Sequence, residues 1–286
     1  MKFRTEITVP SPGFHISHTD KILLTGSCFV STISTRMQES GFTVDVNPFG
    51  IVYNPASLAN GLTDLINNKT YTEENLFLHQ GLYHSFSHHS RFSGTSIETV
   101  LQKINASISH SSGFLRQANL LIITFGTANT YRLVSSGEVV SNCHKLPAQS
   151  FIEERLTISQ ITGRWNILIK ELQALNPDLK ILFTVSPIRH WKDGANANQL
   201  NKAILLLAVN ELTDTHPQCY YFPSYEIMLD DLRDYRFYAA DLIHPNAQAI
   251  DYIWEKFGEA YFDKKTMELN KEYEKKQKAL NHRPLH

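Results

Sequence analysis

The feature that most constrains the fold is a series of short apolar runs, each ending in a turn of small residues and followed by a stretch with helical spacing. The clearest run covers residues 118–125, in which Leu120, Leu121, Ile122 and Ile123 are consecutive. An uninterrupted apolar run of this length is typical of a parallel strand that is buried on both faces. Similar runs lie at residues 21–24, 43–46, 180–185 and 219–222. Strands that alternate with helices predict an α/β fold with a mainly parallel sheet and helices on both faces.

Helical spacing follows these runs, and no internal repeat or linker divides the chain. The predicted helices cover residues 29–40, 55–67, 96–113, 157–175, 198–213, 225–232 and 245–262. With 286 residues, of which 42% are apolar and 19% charged, the chain can bury a large core without disulfides or metals. We therefore expect one domain over residues 1–263, with a histidine-rich hairpin or insertion at 75–96. Residues 264–286 are charged and are expected to form an exposed helix or a tail.

Charge and cysteine content exclude several classes of partner. The 27 Lys and Arg residues nearly balance the 28 Asp and Glu residues, so the net charge of −1 gives no field that attracts nucleic acid or an anionic membrane. No apolar run approaches the roughly 20 residues that span a bilayer. Cys28, Cys143 and Cys219 form no C-x-x-C pair, which indicates free thiols in a reducing compartment. We expect a cytoplasmic protein, with a periplasmic location left open if a signal peptide has been removed.

Two short motifs at the ends of the chain carry possible chemistry. Gly26 and Ser27 stand where the first strand turns into the first helix, so Ser27 is either a simple N-cap or a nucleophile beside unpaired backbone N–H groups. Near the other end, Asp241 precedes His244 by three residues, just before Pro245. An aspartate in this position can fix the tautomer of a histidine that activates a nucleophile. The alternative is an aspartate N-cap beside a surface histidine.

Together these motifs resemble the first and last blocks of the SGNH/GDSL hydrolases, and further motifs make the chain similar to the bacterial GSCFA domain family. The resemblance covers about residues 25–257. The motifs that carry it are Gly26-Ser27-Cys28-Phe29, Asn47-Pro48-Phe49-Gly50, Asn142-Cys143-His144-Lys145, Ser186-Pro187-Ile188-Arg189-His190, Tyr235-Arg236-Phe237-Tyr238 and Asp241-Leu242-Ile243-His244-Pro245.

The resemblance implies a three-layer α/β/α fold with a flavodoxin-like, mainly parallel sheet, and a serine esterase or acetyl-hydrolase. Its substrate would be an acylated carbohydrate or another small ester. In this reading Ser27 is the nucleophile, His244 the general base and Asp241 the group that orients it. Two other functions stay open, namely an inactive carbohydrate-binding module on a hydrolase fold and an acyltransferase.

The resemblance also implies an oxyanion hole, formed by the N–H groups of Ser27 and Gly50 and by the side chain of Asn129. Where SGNH enzymes have Gly-x-Asn, Gly126 precedes Asn129 by three residues here, so Thr127 is an alternative donor. A second departure is Gly-Ser-Cys in place of Gly-Asp-Ser. It makes Cys28 a rival nucleophile, because a helix N-terminus lowers the pKa of a thiol.

Other polar residues suggest substrate contacts rather than cofactors. His144, Arg189 and His190 are candidates for binding substrate, since Arg189 could pair with a carboxylate or a sugar oxygen. His84, His88 and His89 lack the carboxylate partner and the spacing of a metal site. No loop has the Gly-Lys-Ser/Thr of a phosphate site, so we expect neither a metal nor a nucleotide cofactor.

Overall fold

The computed structural model describes residues 4–281 and is built around a five-stranded sheet. The strands of the chain are β1 (Lys21–Gly26), β2 (Thr43–Val46), β3 (Phe77–His79), β4 (Leu82–His84), β5 (Leu120–Phe125), β6 (Asn129–Leu133), β7 (Val139–Val140), β8 (Phe151–Arg155), β9 (Lys180–Val185) and β10 (Cys219–Phe222). The central sheet has the order β10-β9-β5-β1-β2, and every neighbouring pair is parallel. Counted along the chain, this is the flavodoxin-like order 2-1-3-4-5. The predicted parallel sheet is therefore confirmed.

Eight α-helices accompany the strands in residues 4–281. They are α1 (Cys28–Glu39), α2 (Pro55–Ile66), α3 (Ile97–Leu115), α4 (Ile158–Leu175), α5 (Ala195–Thr215), α6 (Ser224–Glu226), α7 (Ala247–Tyr261) and α8 (Lys264–Asn281). The helix predicted over 225–232 is instead the one-turn α6 followed by a π-helical turn over Ile227–Asp231. Within the described chain, none of the helices combines the length and the apolar character that crossing a membrane requires.

Two separate cores lie on the two faces of the central sheet. On β5, Leu121 and Ile123 face the core that contains residues of α2, α3, α4 and α5, including the fully buried Trp165. Leu120 and Ile122 face the opposite core, which contains residues of α1 and α7. Successive residues of a strand point to opposite faces, so an all-apolar strand supplies both cores at once. This arrangement confirms the three-layer α/β/α fold.

Two smaller sheets add to this frame. Strands β3 and β4 form an antiparallel hairpin within the predicted insertion at 75–96. Strands β7, β6 and β8 form an antiparallel sheet that the sequence analysis did not predict. Its strands have only two to five residues and are mostly half-buried or exposed, so they lack the apolar run that marked the central strands. Asn129, which was expected in a loop, is the first residue of β6.

The charged C-terminal segment is helical as far as the structure describes it. Helix α8 buries Thr266 and Asn270, and the ring of Tyr273 stacks at 5.5 Å on His18. The segment therefore packs against the domain along one side. Residues 1–3 of the predicted domain and 282–286 of the predicted tail lie outside the described residues.

Candidate active site

The candidate site lies at the carboxyl edge of the central sheet, where β1 turns into α1. We call residues 26–28 the nucleophile turn. Gly26 has φ +142°, and a Cβ at this position would lie 2.3 Å from the Thr124 carbonyl oxygen, so only glycine fits. The N–H of Gly26 donates to Asn47 Oδ1 (2.9 Å), and the N–H of Ser27 donates to Thr124 O (3.2 Å). These bonds fix the turn against β5 and the loop after β2.

A histidine and an aspartate form a hydrogen-bonded pair in the loop before α7, which we call the histidine loop (residues 238–245). Asp241 Oδ2 lies 2.6 Å from His244 Nδ1, and Asp241 Oδ1 accepts the backbone N–H groups of His244 and Ile243. These hydrogen bonds, first that from the His244 backbone, lower the pKa of Asp241 to about 2. The carboxylate therefore accepts a hydrogen bond from Nδ1–H and leaves the lone pair on Nε2, a tautomer assigned from the hydrogen-bond network.

His244 Nε2 faces Cys28 and not Ser27. The distance from Nε2 to Cys28 Sγ is 3.8 Å. Ser27 is 1% exposed, and its Oγ has no hydrogen-bond partner among the described residues. Helix α1 begins at Cys28, so Ser27 is its N-cap in extended conformation and Cys28 is the first helical residue. The expected serine–histidine pair is thus replaced in the geometry by a thiol–histidine pair, one residue further along.

The pKa of the Cys28 thiol is raised above its ordinary value, although its surroundings act in both directions. Burial raises the pKa of the thiol, while the backbone N–H groups of Cys28 and Phe29 and the charge of Lys202 lower it. The first N–H groups of a helix have no intrahelical partner and carry partial positive charge. A thiolate on Cys28 would therefore be stabilised mainly by the start of α1.

Lys202 is a functional candidate that the sequence analysis missed. Its side chain is 1% exposed, and Nζ donates to Gly126 O (2.8 Å) and Ser186 O (2.7 Å), just beyond the ends of β5 and β9. Burial lowers the pKa of Lys202 to about 7, and the negative charge that opposes this shift is that of Cys28. A signal was present in the sequence, because Lys202 lies in the buried stripe of α5 with Asn198 and Leu205.

All three expected oxyanion donors are engaged elsewhere. The N–H of Ser27 is bonded to Thr124 as described, and the N–H of Gly50 donates to Asn47 O (2.7 Å) in a tight turn. The amide of Asn129 donates to carboxylates of the rim, Glu153 Oε1 (3.0 Å) and Asp193 Oδ2 (3.1 Å). The cause is local: residues 47–50 close on themselves, and residue 129 belongs to β6.

Tyr53 and His190 line the site in place of these donors. The charge of Cys28 and, more strongly, burial raise the pKa of Tyr53, so its phenol stays protonated. The Tyr53 and His190 rings meet edge-on at 5.4 Å, and His190 Nε2 lies 3.2 Å from where a Cβ of Gly126 would be. Burial first, and then the charges of Lys202, Lys192 and His244, lower the pKa of His190 to about 4. Both side chains are neutral at pH 7 and can donate a hydrogen bond.

The predicted substrate residues fall into two groups. Thr127, Arg189 and His190 lie at the site: the N–H of Thr127 donates to Tyr53 O (3.2 Å), and Arg189 Nη1 donates to Leu242 O (3.0 Å) in the histidine loop. Residue His144 lies elsewhere, as described next.

His144 belongs to a buried histidine cluster at the β3–β4 hairpin, which comprises His84, His88 and His144. The rings of His84 and His144 lie 4.5 Å apart, and His144 Nε2 is 2.8 Å from Ser85 O. Burial lowers the pKa of His144 to about 4 and that of His88 to about 3. Within residues 4–281, no three or more His, Cys, Asp or Glu side chains are grouped to hold a metal ion.

A hydrogen-bonded path joins this hairpin region to the nucleophile turn. Arg91 Nη2 donates to the carbonyl oxygen of Asn47, whose side chain holds the N–H of Gly26. Asn47 is buried and has φ +49°, a conformation that asparagine tolerates better than most residues. Asn47 belongs to the motif Asn47-Pro48-Phe49-Gly50, from which its hydrogen bonds to Arg91 and Gly26 were not predicted.

Comparisons with known proteins give one family and several distant structures. The model of the GSCFA family matches residues 21–257, and no curated protein matches the chain. A family 3 carbohydrate esterase of Clostridium thermocellum is 10% identical, with a TM-score of 0.39 over 88% of this chain and 97% of that one. A carbohydrate esterase family 3 structure from Talaromyces cellulolyticus is 11% identical, with a TM-score of 0.39 over 89% and 99%. The periplasmic domain of a Salmonella ser. Paratyphi A lipopolysaccharide acetyltransferase is 11% identical, with a TM-score of 0.39 over 86% and 84%.

Proposed function

This chain belongs to the GSCFA family, and from the side chains at the carboxyl edge of its sheet we propose that it is a cysteine-dependent hydrolase of small esters or thioesters. The observation that carries the proposal is the alignment of Cys28 Sγ, the His244 ring and the Asp241 carboxylate, joined by distances of 3.8 and 2.6 Å. A nucleophile, a base and a group that orients the base are the parts that acyl transfer requires.

The mechanism assigns each proton to a stated atom. Cys28 Sγ attacks the carbonyl carbon of the substrate while its proton passes to His244 Nε2, and Asp241 stabilises the imidazolium. The imidazolium then returns that proton to the leaving oxygen or sulfur as the bond to the carbonyl carbon breaks, which leaves an S-acyl group on Cys28. Water attacks this thioester, with its proton again taken by His244, and the acid departs as the thiol is restored.

The negative charge on the carbonyl oxygen needs donors that are free in the resting protein. The N–H groups of Cys28 and Phe29, in the first turn of α1, have no intrahelical partner and meet this condition, and the protonated Tyr53 phenol is a further donor. Loss of one such donor typically costs on the order of 10²–10³ in rate. We assign this role to them in place of Gly50 and Asn129.

Ser27 is the N-cap residue of α1 in this proposal and takes no part in the chemistry, and the substrates are the small esters expected from the sequence together with thioesters. The serine is buried with no partner for its hydroxyl among the described residues, so it cannot be deprotonated by His244 without rearrangement. A small ester, acylated carbohydrates included, suits a site that is open at the half-exposed histidine loop. Thioesters suit it as well, because the leaving thiol and the Cys28 thiol have similar basicity.

The test is to trap the acyl-enzyme. Purified protein is mixed with p-nitrophenyl butyrate, quenched in acid within milliseconds to seconds, and digested for mass spectrometry. We expect the butyryl group on Cys28 in the unmodified protein and in Ser27→Ala. Acylation should slow on the order of 10²–10⁴-fold in His244→Ala, which lacks the base.

Cys143→Ala is the matched control for this experiment. Cys143 is half-buried like Cys28, and burial raises its pKa in the same direction. Its removal should leave the adduct at Cys28 unchanged. A butyryl group on Ser27, or full turnover by Cys28→Ala, would contradict the proposal.

A further inference from the structure

A cavity of about 290 Å³ opens beside the histidine loop and has no role in the mechanism above. Its wall includes four aromatic side chains and two arginines, Arg189 and Arg233. The residues that define it are Arg189, Trp191, Tyr225, Met228, Tyr235 and Tyr238. A cavity of this size accommodates a short chain or a single ring.

Two of the four aromatic side chains of this cavity are exposed to solvent. Trp191 is 45% exposed and Tyr235 63% exposed. Neighbouring Leu229, also in the wall, is 39% exposed. Exposed apolar side chains that cluster at a concave surface are a mark of ligand binding, whereas single ones are not.

Arg189 is held rigidly in the wall, with its charge unmatched. Its guanidinium lies 3.9 Å from the ring centre of Trp191 and 5.6 Å from that of Tyr238. One nitrogen, Nη1, donates to Leu242 O at 3.0 Å, and within residues 4–281 no carboxylate forms an ion pair with Arg189. A guanidinium fixed in this way keeps N–H groups free for a planar anion such as a carboxylate.

The acidic group in the same wall, Asp234, already has partners in Arg236. Asp234 Oδ1 accepts the backbone N–H of Arg236 (2.9 Å), and Oδ2 lies 3.9 Å from Arg236 Nε. Arg233, at the rim, is paired with Asp230 outside the wall. Arg189 is therefore the unmatched charge that a ligand in the cavity would meet.

The cavity lies beside the candidate active site, to which its wall is joined by hydrogen bonds. Its wall residue Asn198 accepts the backbone N–H of His190 through Oδ1 (2.9 Å). The backbone N–H of Arg189 donates to Ile243 O (3.4 Å), next to His244. A group bound against Arg189 would thus belong to a molecule whose other end reaches the histidine.

We propose that this cavity binds a carboxylate of the substrate, so that the preferred substrates are esters or thioesters carrying an anionic group a few atoms from the scissile carbonyl. The carboxylate pairs with Arg189, and the carbon chain packs on Trp191 and Tyr235. This inference rests on the proposed hydrolase function and narrows its substrate class.

The experiment compares three thioesters of similar size. S-propyl succinyl thioester carries the carboxylate on the acyl side, S-butyryl 3-mercaptopropionate carries it on the leaving side, and S-propyl butyryl thioester carries none. We expect kcat/KM to be at least about tenfold higher for one of the two anionic thioesters than for the neutral one. Which of the two is faster identifies the end of the substrate that lies in the cavity. In Arg189→Gln the ratio of anionic to neutral kcat/KM should fall to near one, because a charge-assisted hydrogen bond is lost.

Arg116→Gln is the matched control, since Arg116 also donates to a backbone carbonyl, Ile66 O at 3.2 Å, but lies at the opposite edge of the sheet. It should keep the full preference. Equal rates for all three thioesters, or a preference that survives in Arg189→Gln, would overturn the inference.

A binding measurement separates failure of this inference from failure of the proposed function. Saturation-transfer NMR is recorded for monomethyl succinate and methyl butyrate with the Cys28→Ala protein. We expect transfer to monomethyl succinate that disappears in Cys28→Ala/Arg189→Gln. Binding without turnover of any thioester would remove the proposed hydrolase and keep the anion site, whereas turnover without binding or preference would do the reverse.

Discussion

The histidine loop and the histidine cluster of the β3–β4 hairpin use the same residue types under opposite conditions. In the loop, His244 is half-exposed, with a carboxylate on one ring nitrogen and a thiol near the other. In the cluster, His84 and His144 are buried, and their ring nitrogens face serine hydroxyls and backbone carbonyls. One arrangement can move a proton during a reaction, while the other keeps His88 and His144 neutral as packing groups.

The difference shows what makes a histidine reactive. Density of histidines in the sequence pointed to the hairpin, and a single Asp-x-x-His pointed to the loop. The carboxylate decides between them, because it stabilises the imidazolium that a base must become. A buried histidine without an acid resists protonation, since desolvation disfavours its charged form.

The largest expected effect comes from removing one histidine from each of the two regions and comparing the two variants. His244→Ala should lower turnover of a butyryl thioester on the order of 10²–10⁴-fold with little change in the free energy of unfolding. His144→Ala should do the opposite, losing stability while the turnover of the folded fraction stays near that of the unmodified protein. Steady-state kinetics and urea unfolding on both variants test this. Equal losses of turnover would erase the distinction between the regions.

Acid should unfold the protein through the cluster. The folded-state pKa values of His144 and His88, about 4 and about 3, lie below the unfolded value of about 6.5. The unfolded chain therefore binds more protons in this window, and stability that is complete above pH 6.5 falls as the pH drops. Each histidine contributes about 1.4 kcal/mol per pH unit between its two pKa values.

Urea unfolding at pH 7, 6 and 5 measures this slope. His144→Gln should flatten it by about one proton, because one of the titrating histidines is gone while His88 and His190 remain. His244→Ala, in which the cluster is intact, should keep the full slope. A slope that disappears in His244→Ala instead would place the acid sensitivity in the histidine loop.

A smaller effect is expected from Lys202, on the thiol side of the comparison. Lys202→Met removes the buried positive charge that favours the Cys28 thiolate, so alkylation by iodoacetamide at pH 7 should slow by about tenfold. The free energy of unfolding should also fall, by about 1–3 kcal/mol, because the carbonyl oxygens of Gly126 and Ser186 lose their donor. Lys202→Arg should recover part of the rate. If the alkylation rates of both variants follow their free energies of unfolding, Lys202 has only a structural role.

The smallest effect is expected at the residue that the sequence favoured most. Ser27→Ala removes a buried hydroxyl with no partner among residues 4–281, so turnover should stay within about threefold and stability within about 1 kcal/mol. Kinetics and urea unfolding decide the matter. Loss of turnover comparable to that of Cys28→Ala would return the nucleophile to Ser27.

The sequence predicted the frame well and the fine geometry poorly, for physical reasons. Apolar runs such as Leu120–Phe125 are buried on both faces wherever they pair, so the sheet and its layers followed from them. Whether the histidine faces Ser27 or Cys28 depends on the residue at which α1 begins. The sequence Gly-Ser-Cys permits a helix that begins at either residue. The choice depends on bonds from the turn to Thr124 and Asn47, which are distant in sequence.

The oxyanion donors show a second limit of the same kind. Gly50 and Asn129 have the right residue types, yet their donors are already engaged by Asn47, Glu153 and Asp193. Residue type shows which bonds a group can form, and only the folded chain shows which it has formed. Lys202 is the converse case. A lysine in a helix is expected to face solvent, but Lys202 lies in the buried stripe of α5.

The path from Arg91 through Asn47 to Gly26 makes the two regions one mechanical unit. Arg91 near the hairpin donates to the carbonyl of Asn47, and the side chain of Asn47 accepts the amide N–H of Gly26. The rate of hydrogen exchange at the Gly26 amide, in the nucleophile turn, therefore reports on opening of the hairpin. Local opening around Arg91 should therefore be detected at the Gly26 amide, two hydrogen bonds away.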